Sequence, residues 1–494
     1  DPEKLPLDET LIERIRDQLQ QVIPSERAYG LLTLRSSVNN MHNLYLNLDV
    51  GSNFNTFFAL NDNKVFISSL YTAAGFHQVF ESQHRSISSE VAEDNRDIGL
   101  VNDANTVQSA SQIRSIMEQN YNENYIRAWD AAIKNIHVHS FNNLDDEINV
   151  LTTLSGKQSP LPKLLNLIYD NTASVSLGRV KVSNHYSSLN EYNKHGVSGA
   201  SWSNTLNVIS QLKDYFIKLQ QAQEKNQACL DAALDLIKGK GKNPIQALTD
   251  EAKKAPQPVQ QWLMDLANNS WQIILKGAHA KMNDDWKNNV MKDYDKSIRG
   301  RYPLNSHASS EVAINDFNLF FGHDGEVESY FNQYIKPFVN TDKDNWTLYT
   351  LNGLNIELSD RVISLFEQAK NIRDDYFSHG AKQASFSFTI EPLELNQNAS
   401  GAQLVFGDNR LEYSHGPRNK ISVDWPLPFN SQDSSLYVSS FKDDQFGYYA
   451  SGPWSLFKIF SHGVLKKTGN NGTYLYSINF HGYSGSYRIT GTGD

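Results

Sequence analysis

Apolar side chains recur every three or four residues over most of the first 380 positions, which is the spacing of amphipathic helices. In the longest such stretch, Tyr121, Tyr125 and Trp129 fall at i, i+4 and i+8. An aromatic stripe of this kind is typical of a helix face buried in a core. The pattern predicts a helical body over residues 1–300, with a short irregular section near 39–97 in which Asn63–Ser68 is expected to be a strand.

The helical pattern is interrupted between Arg299 and Pro303, and a small helical subdomain is predicted from there, over residues 301–382. Two short amphipathic helices come first, one carrying Phe317 and its neighbours and ending at Gly322. A third helix is predicted from Ser359 to Tyr376.

At Gln383 the period of the pattern changes from 3.6 to 2, the alternation of a half-buried strand. Phe386, Phe388 and Ile390 alternate with small polar residues, and Gly407-Asp-Asn409 has the composition of a tight turn. Seven or eight short strands and one short helix, with Pro453 in its first turn, predict a β-sandwich or barrel over residues 383–494. The expected fold is therefore a mainly α-helical body followed by a C-terminal all-β, sandwich-like domain.

The composition narrows the classes of partner. The formal net charge is −10 and the sequence pI about 5.8, so the chain has no general attraction to phosphate backbones or anionic lipid. No run approaches 18 apolar residues, and no bilayer span is predicted. Residues Asp1–Pro6 lack an initiator Met and a signal sequence, and we expect a fragment or a processed product. The single cysteine, Cys229, excludes an intramolecular disulfide.

Motifs that carry chemistry are missing or incomplete. The basic stretch Lys238–Lys242 lacks the hydroxyl residue of a phosphate-binding loop, and Gly-x-Ser-x-Gly does not occur. His137 and His139 have no third metal ligand near them in sequence, so we interpret both as solvated loop residues. We therefore predict no catalytic, cofactor-binding or metal-binding residues, and no enzyme activity.

Two features of the predicted β-domain are open to two interpretations. His415 is either an interface residue or part of a turn at a strand end, with Gly416 supplying backbone freedom; we favour the turn. Four tyrosines are either interface anchors or ordinary sheet packing: Tyr448, Tyr449, Tyr483 and Tyr487.

Nine short motifs occur along nearly the whole chain in a fixed order: Tyr71-Thr-Ala-Ala-Gly75, Tyr125-Ile-Arg-Ala-Trp129, Ser159-Pro-Leu161, Arg301-Tyr-Pro303, Asp316-Phe-Asn-Leu-Phe-Phe-Gly322, Tyr330-Phe-Asn-Gln-Tyr-Ile-Lys-Pro-Phe338, Phe388-Thr-Ile-Glu-Pro-Leu393, Leu411-Glu-Tyr-Ser-His-Gly-Pro417 and Gly452-Pro-Trp-Ser-Leu-Phe457. Their order and spacing resemble those of the IcmF/TssM family, although Leu304 stands where that family usually has Phe. Members of the family are inner-membrane scaffold proteins of type VI and type IVB bacterial secretion systems.

The resemblance implies a non-enzymatic periplasmic region of an inner-membrane-anchored protein, with the anchor expected to precede Asp1. It also implies a multi-copy assembly with a DotU/TssL-like inner-membrane subunit and an outer-membrane lipoprotein. The type VI and type IVB branches both remain open. An alternative, suggested by the abundance of Trp and Tyr, is a carbohydrate-active or peptidoglycan-binding protein with a β-sandwich glycan module.

Overall fold

The computed structural model describes residues 8–20, 22–38, 41–97, 108–194, 199–241, 243–342, 346–351, 353–468 and 472–491. The chain divides into two units, Asp1–Gly277 and Ala278–Asp494. In their described parts, the first unit is almost entirely helical and the second combines helices with two β-sheets. A helical body followed by a C-terminal β-sandwich-like domain, as predicted, is therefore confirmed.

The helices of the first unit are α1 Glu9–Gln20, α2 Pro24–Val38, α3 Leu46–Val50, α4 Phe54–Phe57, α5 Ala73–Gly75, α6 Ser82–Asp97, α7 Ala110–Lys134, α8 Leu144–Ser155, α9 Pro160–Thr172, α10 Val182–His185, α11 Ser187–Asn193, α12 Ala200–Gln221, α13 Lys225–Ile237, α14 Pro244–Ala252 and α15 Val259–Asp285, the last of which continues beyond Gly277. A π-helical segment, Phe76–Glu81, precedes α6. The unit's two named strands, β1 Phe58–Leu60 and β2 Ile136–Val138, pair antiparallel.

The aromatic stripe on α7 is buried, as its spacing predicts. Tyr121, Tyr125 and Trp129 are all fully buried, and each polar group finds a backbone acceptor. The hydroxyl of Tyr121 donates to the carbonyl of Leu70 (2.7 Å), and the indole N–H of Trp129 donates to that of Tyr71 (2.8 Å). These bonds satisfy polar atoms that would otherwise be costly to bury. The stripe is a core feature and not a ligand site.

The Tyr71–Gly75 motif forms a tight, buried turn against that core. Thr72 caps α5 by accepting a hydrogen bond from the N–H of Gly75 (3.1 Å). A Cβ atom at position 75 would lie 2.1 Å from the carbonyl oxygen of Ser69, so only glycine fits. The motif is explained by packing.

The strand predicted over Asn63–Ser68 is wrong. This segment forms only an isolated bridge, between Ile67 and Leu44. The carboxylate of Asp62 accepts a hydrogen bond from the N–H of Lys64 (2.8 Å), and this local bond bends the backbone into a turn.

One carboxyl group in the first unit is buried without a cation. The side chain of Glu147 on α8 is fully buried, and the hydroxyl of Ser270 on α15 donates to its Oε1 (2.5 Å). Among the described residues, its Oε2 has no hydrogen-bond partner. Burial raises the pKa of Glu147 to about 8, so the group is mostly protonated at neutral pH.

The lone cysteine also lies in this unit. Cys229 on α13 is buried against α15, where a Cβ atom at Gly277 would lie 2.6 Å from its Sγ. Burial raises the pKa of the thiol to about 11. It is therefore a packing residue, as the sequence suggested.

The second unit begins with short helical elements: the end of α15, a π-helical segment Trp286–Val290, α16 Met291–Ser297, α17 Ile314–Phe321, α18 Glu326–Tyr330 and α19 Asp360–Tyr376. A second π-helical segment, Phe331–Ile335, extends α18, and a small ladder joins β3 Val339–Asn340 to β4 Thr347–Leu348. Helix α19 begins and ends as predicted, with the hydroxyl of Ser359 capping it. Aromatic rings form its core; Trp286 and Tyr330, for example, lie 4.9 Å apart.

The remaining strands are β5 Phe386–Leu395, β6 Ala399–Phe406, β7 Asn409–Tyr413, β8 Ile421–Trp425, β9 Ser434–Ser440, β10 Gln445–Ala450, β11 Val464–Lys467, β12 Thr473–Phe480 and β13 Tyr483–Gly491, with helix α20 Ser455–Phe460 between β10 and β11. They form a four-stranded sheet, β10-β9-β6-β7, and a five-stranded sheet, β11-β12-β13-β5-β8. All pairings are antiparallel, and apolar residues from both sheets face each other. The described part of the domain thus has nine strands, slightly more than predicted. The expected Gly407-Asp408 turn joins β6 to β7.

Candidate interaction surface

The motif Gly452 to Phe457 joins the β-domain to the helical part of the same unit. Trp454 is fully buried, and its indole N–H donates to the carbonyl of Val312 (2.6 Å). Its ring packs against Phe317 of α17, with centroids 5.2 Å apart, and against Trp425 of β8 at 4.9 Å. Trp425 in turn donates its indole N–H to the carbonyl of Pro453 (3.0 Å). We call this group of contacts the interlock.

Glu311 provides the electrostatic part of the interlock. Its largely buried carboxylate pairs with the ammonium of Lys458 on α20 and accepts a longer hydrogen bond from the backbone N–H of Trp454 (3.4 Å). Gly452 has φ +97°, and a Cβ there would lie 2.7 Å from the carboxylate. The ring of Tyr302, from the Arg301-Tyr-Pro303 motif, lies 5.5 Å from the Lys458 ammonium. Two sequence motifs therefore meet here for structural reasons.

One detail of the predicted helix differs from the structure. Pro453 was expected in the first turn of the helix, but α20 begins at Ser455 with Trp454 as its N-cap residue. The chain needs the extra residues because Trp454 must reach Val312 and the carbonyl of Pro453 must face Trp425.

His415 forms a turn contact within the β-domain. Its Nε2 lies 2.7 Å from the carbonyl oxygen of Ala399, within hydrogen-bonding distance. The left-handed backbone conformation belongs to His415 itself, at φ 59°, and not to Gly416 as predicted. His415 tolerates this conformation because its side chain is tied to the neighbouring strand. The turn interpretation fits these contacts.

The four tyrosines divide between packing and exposure. Tyr487 is buried beside Tyr476, and burial raises the pKa of its hydroxyl well above the ordinary value. Tyr483 is half-buried and stacks on Phe446 (5.5 Å). Tyr448 and Tyr449, on strand β10, are 43% and 60% exposed. Only these last two are placed to contact another molecule.

The most exposed apolar side chains of strand β11 lie beyond α20. Val464 is 67% exposed and Leu465 49%, and all four residues of the strand are exposed. The strand ends the five-stranded sheet, so one side of its backbone pairs with no described strand. Just before it, the ring of His462 stacks on Tyr448 at 3.4 Å, and burial lowers the pKa of this histidine. The segment Val464–Lys467, which we call the β11 edge, is the main candidate surface.

Sequence reasoning missed the β11 edge. Its four residues, Val-Leu-Lys-Lys, show no alternation and belong to no motif. The signal available was Gly463: a Cβ there would lie 2.4 Å from the ring of Tyr476, so a close strand approach follows directly.

The described residues show no arrangement suited to catalysis or metal binding. In the part of the chain that the structure covers, no group of three or more His, Cys, Asp or Glu side chains is placed to hold a metal ion. His139 contacts the backbone carbonyl of Thr56 (3.0 Å), while His137 is exposed on β2.

A cleft of about 420 Å³ in the second unit brings carboxylates together. It lies between α16, α17 and the start of α18, and burial together with a hydrogen bond from Asp293 raises the pKa of Glu326. Glycosidases hold their two carboxyl groups about 5 to 9.5 Å apart, leaving room for the sugar and water. Because Asp293 and Glu326 hydrogen-bond each other directly, this pair lacks that geometry.

Within the described residues, no helix combines the length and apolar character needed to cross a bilayer.

Three family models match the chain in order. Residues 1–173 match the IcmF-related family, described as intracellular multiplication and human macrophage-killing. Residues 277–382 match the type VI secretion protein IcmF helical domain, and residues 388–493 match the type VI secretion protein IcmF C2-like domain.

A curated relative and two solved structures agree with these matches. The type VI secretion system component TssM1 of Pseudomonas aeruginosa is 23% identical over 98% of this chain, which spans about half (48%) of that relative's length. Two structures described as a type VI secretion system membrane core complex and a type VI membrane complex share the fold, with TM-scores of 0.66 and 0.69. Each is 15% identical and covers 95% of both chains. With three consecutive family models and the predicted order of motifs, the chain belongs to the IcmF/TssM family.

Proposed function

We propose that this chain is a non-enzymatic scaffold portion of an IcmF/TssM protein, which bridges the cell envelope in a bacterial secretion system. The observation that carries this proposal is the match of three IcmF family models in order along the chain. The fold shared with type VI membrane complexes supports it. We further propose that the chain lies in the periplasm, as the ectodomain of an inner-membrane-anchored protein.

The physical character of the molecule suits such a role. A scaffold needs rigid bodies that resist deformation and exposed surfaces that other proteins can contact. The buried aromatic stripe of α7 and the interlock around Trp454 supply rigidity. The β11 edge supplies an exposed surface. The predicted regions 1–300, 301–382 and 383–494 are the division of labour that we propose to test.

The proposed partners are a DotU/TssL-like inner-membrane subunit and an outer-membrane lipoprotein, in an assembly that contains several copies of each chain. The test is co-expression of the whole chain with the two candidates from its own organism, followed by affinity purification and light scattering. We expect a complex of defined mass that contains at least one of them. Recovery of the chain alone, with both candidates soluble and folded, would contradict the proposal.

The carbohydrate-active alternative is tested with the same preparation. The matches above are all to secretion components and none favours it, and the hydrogen-bonded pair Asp293 and Glu326 lacks glycosidase spacing. Incubation with peptidoglycan fragments is therefore expected to release no product. Cleavage that is lost in Glu326→Gln would support the alternative and remove the scaffold proposal.

A further inference from the structure

Strand β11 has a free side that is apolar at one end and basic at the other. Val464 and Leu465 come first, and Lys466 and Lys467 follow. Neither lysine forms an ion pair with a residue that the structure describes, whereas Lys458 on the preceding helix is paired with Glu311. Helix α20 packs against β9 and β10, on the opposite sheet.

The hydrogen-bond alternation of the β11–β12 pair shows which backbone groups face outward. The N–H of Thr468 donates to the carbonyl of Thr473 (3.0 Å), directly after the register pair Lys467 and Tyr474. In an antiparallel ladder, hydrogen-bonded and non-bonded positions alternate. The N–H and C=O groups of Leu465 and Lys467 therefore point away from β12. Two donors and two acceptors are available to one further strand.

Charge selects among the possible occupants of this edge. In a second copy of the same strand, Lys466 and Lys467 would bring like charges together across the new ladder, which is unfavourable. A strand with acidic residues opposite the lysines would gain charge pairs as well as backbone bonds. The apolar half of the edge asks for apolar side chains opposite Val464 and Leu465.

We propose that the β11 edge binds an extended segment of a partner protein by strand addition, with acidic residues opposite Lys466 and Lys467 and apolar residues opposite Val464 and Leu465. Main-chain hydrogen bonds supply affinity in this mode, and the alternating side chains supply specificity. The inference rests on the scaffold function proposed above, because it names the chemistry of one of its partner contacts.

The first experiment uses the whole chain and a fluorescein-labelled peptide, Gly-Ser-Glu-Asp-Val-Ile-Ser-Gly. In an antiparallel alignment, its Ile lies opposite Val464 and its Glu opposite Lys467. We expect saturable binding by fluorescence anisotropy that weakens with added salt. Hydrogen exchange measured by mass spectrometry should slow in the peptic fragment that contains Val464–Lys467.

A pair of modified peptides separates backbone pairing from simple charge attraction. N-methylation of the Val and Glu residues removes the two N–H groups that face Leu465 and Lys467. N-methylation of Asp and Ile removes N–H groups that face away, with the same charge and mass. We expect at least about tenfold weaker binding for the first peptide than for the second. Equal affinities would overturn strand addition.

The matched protein variants are Leu465→Pro and Leu465→Ala. Proline removes an N–H that faces outward and leaves the β11–β12 bonds intact, so the sheet is retained. We expect Leu465→Pro to abolish peptide binding and Leu465→Ala to weaken it only a few-fold. Circular dichroism and thermal melting check the fold of both variants. If Leu465→Pro melts early, the N-methylated peptides give the answer on the unaltered protein.

Two further outcomes identify a different explanation. Self-association of the chain that disappears in Leu465→Pro, without peptide binding, would overturn the acidic-partner proposal and assign the edge to a second copy. If Leu465→Pro still co-purifies with its envelope partners at wild-type levels, the edge inference fails and the scaffold function stands. If the wild-type chain captures no envelope partner, the scaffold function fails whatever the peptides do.

Discussion

Helix α20 separates two regions that use similar residues in opposite ways. Before and within it, Trp454 is fully buried and Lys458 is paired with Glu311. After it, Val464 and Leu465 are exposed, and the following lysines have no ionic partner among the described residues. The difference lies in what surrounds each segment, since both carry apolar and basic side chains.

This difference teaches where the family motifs act. The Gly452 to Phe457 motif needs particular residues because a turn, an indole and an ammonium must each meet a fixed partner. The β11 edge needs only a short exposed strand with a suitable charge. Motifs in this chain therefore mark internal packing, and the surface proposed for binding has no motif at all.

The largest effect is expected from breaking the interlock with Trp454→Ala. The substitution removes a fully buried ring and its bond to Val312, and should lower the stability of the second unit by about 3–5 kcal/mol. Urea unfolding, combined with hydrogen exchange in fragments from residues 386–491, measures the loss. Trp454→Phe keeps much of the volume and should cost less. A loss below about 1 kcal/mol would remove the interlock as a stabilising feature.

The second prediction contrasts a buried carboxyl group without a cation with Glu311, which has one. The pKa of Glu147 is raised to about 8, so the unfolded chain releases this proton at lower pH than the folded chain. Stability of the first unit contributed by this group is full below about pH 4.5 and falls as pH rises towards 8. Glu147→Gln should therefore stabilise that unit by about 3 kcal/mol at pH 7, and by much less at pH 5.

Chemical denaturation at both pH values, followed by hydrogen exchange in α8 and α15, checks the Glu147 prediction. Asp145→Asn, at an exposed position of the same helix, is the matched control for the loss of one negative charge. A pH-independent effect of Glu147→Gln, or destabilisation at pH 7, would contradict the raised pKa.

A smaller loss is expected for Glu311→Ala. It leaves the N–H of Trp454 and the ammonium of Lys458 without their acceptor, at a cost of about 1–3 kcal/mol. The ammonium is partly exposed, and turning it towards water reduces the penalty. Lys458→Met, which removes the opposite partner, completes a double-mutant cycle. Strictly additive losses in the double variant would show that the pair is not coupled.

The smallest stability change is expected at the β11 edge. Val464→Ser should alter the unfolding free energy by no more than about 0.5 kcal/mol, because the side chain is already 67% in solvent. The same variant should weaken binding of the acidic peptide. Thermal melting and anisotropy on one preparation test both points, and a large loss of stability would reveal packing at this edge instead.

Much of the fold was predictable from hydrophobic periodicity. The stripe from Tyr121 to Trp129, the bounds of α19 and the change of period at Gln383 each depend on local sequence, and each prediction holds. The strand expected at Asn63–Ser68 failed because a single carboxylate, Asp62, bends the backbone locally. Periodicity counts apolar residues and does not register such a bond.

The candidate surface was less predictable than the fold. The identity of Tyr487 as core and Tyr449 as surface depends on which strand each occupies and what covers it, and both are tertiary facts. The β11 edge is visible only once strand order is known, since an edge is defined by the absence of a neighbour in the described sheet. Residue types alone carry no such information.

The deep placement of Cys229 has a practical consequence. A protonated, sheltered sulfur reacts slowly with maleimides, so the natural protein offers labelling chemistry an almost silent background. A probe attached through a new cysteine at Lys466 would then report on that position alone. Spectroscopic distances from such probes would follow partner docking in assembled particles while every native side chain elsewhere stays in place.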